Sequence, residues 1–120
     1  MRNKRFTPED WELAKKQARE VLIERAKHRG MIPYGELATK ILAIEFEPHE
    51  HLFFKLLGEI SSQEYQAGRG MLTALVVHKK GDMEPGPGFF ELAQSLGLDT
   101  ADILSCWVEQ LKKVHTVWSQ

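Results

Sequence analysis

Apolar residues recur at three- and four-residue steps along several stretches of the chain, and the first, "TPEDWELAKKQAREVLIERAKHRG", carries its own boundaries. Trp11, Ala14, Ala18, Val21, Leu22 and Ala26 fall on one helical face. Thr7 stands at an N-cap, Pro8 at the first helical position, and Asp10 where its side chain can return a capping bond. Gly30 supplies the permissive backbone that ends a helix. The spacing predicts a helix over 8–29.

In "MIPYGELATKIL", Pro33 pushes Ile32 toward an extended conformation, and Gly35 allows a turn into a short helix at about 35–43. A third helix, 48–67, starts near Pro48. It buries Leu52, Phe53, Leu56, Leu57 and Ile60 and stops at Gly68, while Gly58 weakens it from within. "MLTALVV", 71–77, is apolar on both faces and short, which reads as a buried strand. The Gly-Asp turn in "HKKGDME" points to a return strand around 82–84 and hence a hairpin. Helical spacing resumes from Phe89 to Leu96, closed by Gly97, and a last helix is capped by Asp99 or Thr100. Its seam of Leu104, Trp107, Leu111, Val114 and Trp118 can pack on helix 8–29 or on a second copy of the chain. The expectation is one globular domain, 1–120, of the α+β class and mainly helical. About five helices surround a small antiparallel sheet built on strand 71–77, in a winged-helix-like order.

Composition adds limits. The 120 residues are 42% hydrophobic and 28% charged, which suits one folded domain with a real core. The single cysteine, Cys106, excludes an internal disulfide and reads as a packed core thiol. No apolar run opens the chain, so no signal peptide or membrane span is expected, and the reading is a soluble, cytoplasmic protein. A net charge of −1 removes any global argument for a polyanionic partner. The charge is uneven, however: residues 1–29 hold nine Lys/Arg against five Asp/Glu, and residues 30–67 hold two against six.

That distribution shapes the nucleic-acid reading. Helix 48–67 carries Glu50, Glu59 and Glu64 with Lys55 as its only cation, so it repels phosphates. Contacts would fall instead to Arg2, Lys4, Arg5, Lys15, Lys16 and Arg19, helped by Arg69, Lys79 and Lys80 at the hairpin; the alternative is that these are solvated surface residues. In "PGPGFF", Gly86 and Gly88 let the backbone approach another molecule at the start of a helix, forming a binding lip. Equally, the prolines stiffen a loop while Phe89 and Phe90 plug the core. Neither a phosphate-loop Lys-Ser/Thr pair nor a Gly-x-Gly-x-x-Gly pattern is present. Arg69, between Gly68 and Gly70, can grip an anion near the lip or cap the carbonyls of the preceding helix.

His49 and His51 diverge if they lie within a helix, and His78 has no identifiable nucleophile beside it. No catalytic residue, metal site or cofactor is therefore assigned. "YGELA", opened by Tyr34, resembles the YG-x-x-A opening of the DNA-binding domain of alkylguanine alkyltransferases and alkyltransferase-like proteins. That resemblance implies a winged-helix domain, without the Pro-Cys-His-Arg nucleophile motif of the enzymes. Over residues 34–93, "YGELA", "RGMLTALVV" and "PGPGFFELA" are similar to small bacterial domains, some of them associated with phage and restriction-type nuclease genes. The expected function is a non-catalytic binding module for nucleic acid or a nucleic-acid-processing protein. Its rival is a homodimeric or protein-interaction module using strand 71–77 or the Leu104–Trp118 seam. A third reading, a small enzyme, requires His78, Glu36 and Arg69 to line one pocket.

Overall fold

The computed structural model describes residues 5–78 and 85–120. Helix α1 spans Pro8–Lys27, and its capping box is complete: the Thr7 hydroxyl accepts from the Asp10 N–H and the Asp10 carboxylate from the Thr7 N–H. Strand β1 is Ile32–Pro33, leading directly into α2 at Tyr34–Lys40. Helix α3 covers His51–Gln66, a 3-10 turn Leu72–Leu75, strand β2 Val76–Val77, helix α4 Pro87–Ser95 and helix α5 Ile103–Trp118.

Several expected boundaries shift, two of them where a side chain takes over backbone groups. Helix α2 ends at Lys40 and not at 43, since the Gln17 amide oxygen accepts the N–H groups of Leu42 and Ala43. Pro48 and His49 form a turn ahead of α3, whose N-cap is Glu50. Asp99 accepts from the Ala101 N–H in a local turn, so the cap of α5 passes to Asp102, which accepts from Ser105.

The largest correction concerns 71–77. Only Val76 and Val77 are a strand, and it pairs in parallel with β1, Ile32 opposite Val76 and Pro33 opposite Val77. The expected antiparallel sheet around 71–77 is therefore replaced by this two-stranded parallel one. The return strand at 82–84 lies outside the described residues. Parallel neighbours need a crossover connection, here α2 and α3.

Residues 71–75 are fully enclosed, and side chains satisfy their backbone where a ladder would have done so. The Met71 N–H donates to Gln110, the Thr73 N–H to the Ser61 hydroxyl, and the Ala74 carbonyl accepts from the Trp107 indole at 2.8 Å. An unbroken apolar run fits any fully buried segment, so period alone did not separate strand from turn.

The seam of α5 packs inside the molecule. Leu111, Val114 and Trp118 join the main core with α1 and α3, and Trp107 joins a second cluster with Met71, Val77 and Phe89; Leu104 is exposed. Of the two surfaces on which a homodimer was expected to form, 71–77 is buried and the seam is largely so. Among the described residues, no helix is long and apolar enough to cross a membrane.

Candidate functional site

The register of β1 and β2 sets the site. One residue beyond the paired positions on each strand stand Tyr34 and His78, with ring centres 5.2 Å apart. Tyr34 begins α2, and its hydroxyl accepts the Gly86 N–H at 3.0 Å, which draws the N-cap of α4 onto it. A Cβ built on Gly86 would lie 3.3 Å from His78 Nε2 and 3.4 Å from the Tyr34 hydroxyl. Glycine at 86 thus permits the loop to close against both rings.

A cavity of about 410 Å³ opens between α3 and the start of α4. Its rings are Tyr34, Phe54 and Phe89, and Leu57 and Leu92 complete the apolar wall. Polar character comes from His51, His78, the backbone at 86–88 and Glu91 at the rim. Thr73 also borders it, but its hydroxyl is bonded to Ser61. Burial pushes the Tyr34 phenol pKa up, opposed in part by the Gly86 bond, so the phenol stays protonated at neutral pH. A second, shallower hollow of about 820 Å³ lies on the other side, bordered by Glu36, Thr39 and His49; Tyr34 and His78 belong to both. This size and mix of an apolar wall with a few polar groups is that of a small-ligand site.

The expected site residues divide. Tyr34, Gly86 and Gly88 meet in the cleft. Lys79 and Lys80 lie outside the described residues. Gly70 sits elsewhere: its φ of 87° and a Cβ position 2.8 Å from Lys113 Cγ show it serving the approach of α5 to the segment leaving α3. Arg69 is spent on Glu64, donating from Nε at 2.8 Å and from Nη2 at 2.9 Å. Arg19 donates to the same carboxylate at 3.1 Å and lies over the Trp118 ring. Glu64 is only 3% exposed, and burial alone would raise its pKa; the two guanidiniums win and hold it below the usual carboxylate value.

Lys15 is likewise buried, 3.3 Å from Glu59, which also accepts from the Trp11 indole. Lys16 remains exposed. The acidic residues of α3 therefore neutralise part of the basic face of α1, through the Lys15–Glu59 and Arg19–Glu64 pairs. Arg5 is exposed, whereas Arg2 and Lys4 fall outside the described residues.

His49 and His51 separate, one to each hollow, and no group of three or more His, Cys, Asp or Glu among the described residues is placed to hold a metal ion. Glu36 and His78 share the larger hollow, but Glu36 is paired with Arg25 and Arg69 is not among its borders. Cys106 is a buried thiol with its pKa raised by burial and by the nearby charges of Glu109 and Asp99.

Among the cleft residues not assigned to a binding site from the sequence are His51, weighed there only as a metal ligand, Phe54 and Gly58. They stand three and four residues apart and so share a helical face, opposite the buried stripe. An aromatic off the stripe with a glycine four positions later was the available signal. No family model matches the chain, and neither a curated protein nor a solved structure does.

Proposed function

We propose that this chain is a binding module, non-catalytic, whose ligand enters the cleft between α3 and α4. Within that class the reading best supported is association with nucleic acid. One observation carries it: three aromatic rings line a cleft whose polar groups are two imidazoles, a phenol, backbone and the Glu91 carboxylate, a composition suited to stacking and edge-bonding a base. The succession of α2, α3 and β2 keeps the helix–helix–strand part of the winged-helix-like reading, with β1 and β2 paired in parallel and no antiparallel hairpin among the described residues, and Lys79 and Lys80 follow His78 directly in sequence.

The test is fluorescence anisotropy with short single- and double-stranded DNA across roughly 50 to 200 mM salt. The expected result is salt-dependent binding that favours single strands and is weakened in Lys79→Ala/Lys80→Ala. Failure to bind any oligonucleotide at the lowest salt overturns the reading.

A further inference from the structure

Gly58 lies in the interior of α3 and Gly88 in the first turn of α4, on facing walls of the same cleft. Neither has a positive φ, and a Cβ built on either would meet nothing within 4 Å. Gly70 has both constraints, so its glycine is explained by backbone and packing; at 58 and 88 neither explanation applies. Glycine inside a helix weakens it relative to alanine. What the two positions share is the open volume between them.

The chemistry of the walls narrows what fills that volume. Phe54, an aromatic left 41% exposed, and Phe89 offer flat apolar contact, while His51, His78 and the Tyr34 hydroxyl offer hydrogen-bonding edges. Among the described lining residues there is no lysine or arginine, and the one carboxylate is that of Glu91. Phosphates and carboxylates are disfavoured there, and a neutral ring bearing N–H donors is favoured.

We infer that the cleft is a slot for one neutral nitrogen heterocycle of the nucleobase kind, kept open by Gly58 and Gly88. The inference rests on the nucleic-acid reading above only for the source of the ring. A free nucleoside and an unpaired base in a strand present the same chemistry.

The experiment titrates the protein with adenosine, with cytidine and with a short single-stranded DNA, following backbone amide NMR shifts, and repeats the series with Gly58→Leu. Saturable shifts at residues 54, 58, 78 and 88, with a dissociation constant at least tenfold weaker in the variant, are the expected result. Should Gly58→Leu melt below the wild type, Gly88→Leu blocks the cleft from the opposite wall and replaces it. Oligonucleotide binding that both variants retain in full overturns the slot and leaves the nucleic-acid reading standing. Nucleosides in the cleft with no oligonucleotide binding would do the reverse, assigning the slot to a free heterocycle. Cleft amides unmoved by every probe overturn the slot outright.

Discussion

The hydroxyl of Tyr34 accepts the backbone N–H of Gly86 at 3.0 Å, joining the first residue of α2 to the cap of α4 across the cleft. Tyr34→Phe removes the acceptor and leaves that amide without its partner, at a cost of about 1–3 kcal/mol. Urea unfolding should register the loss, and exchange of the Gly86 amide with deuterium should quicken. The phenol absorbance change that Tyr34→Phe removes should have its midpoint above the ordinary tyrosine value of 10.0.

Opposite outcomes are expected at two glycines. Gly58→Ala adds a Cβ in open space on a helix and should stabilise by about 0.5–1 kcal/mol. Gly70→Ala meets Lys113 Cγ at 2.8 Å with φ at 87°, and should destabilise by about 1–3 kcal/mol. Paired thermal melts compare them; a destabilised Gly58→Ala would mean that its lack of a side chain serves packing.

Acid should reveal the Glu64 cluster. Its folded pKa lies below the ordinary 4.5, so the unfolded chain takes up the proton first. The stability it provides is whole at neutral pH and is lost as pH falls from about that ordinary value through the folded one. Glu64→Gln should cost about 1–3 kcal/mol at pH 7 and flatten this part of the acid limb in denaturant titrations. An unchanged acid limb would show that the cluster is not the source.

The indole of Trp107 is the donor to the Ala74 carbonyl inside the second core cluster. Trp107→Phe keeps most of the apolar contact but strands a buried carbonyl, and should lower stability by about 1–3 kcal/mol. Trp107→Ala should cost more, about 3–5 kcal/mol, because it also leaves a cavity.

Periodicity and caps made the helices legible. Thr7, Pro8 and Asp10 act through neighbours in sequence, so the start of α1 was legible from them, while its expected end at 29 lies two residues past the observed Lys27. The 71–77 segment was misread because its backbone partners, Ser61, Trp107 and Gln110, come from helices far along the chain. The same holds for Arg69: its exposure to an anion was arguable until Glu64, five residues earlier and buried, claimed its guanidinium. Half of the cleft was visible as Tyr34, Gly86 and Gly88; the other half lay on a face of α3 that the buried stripe overshadowed.

The short pairing of Ile32 with Val76 and Pro33 with Val77 has a kinetic meaning as well as a spatial one. Because α2 and α3 intervene, the ends that carry Tyr34 and His78 come together only after a long loop has closed, and non-local closures of that kind belong to the slower part of folding. A chain that has formed its helices but not this pairing has no cleft. On the proposed reading, ligand competence therefore reports completed folding, and a ligand of the cleft also selects, from a population of newly made chains, those that have finished.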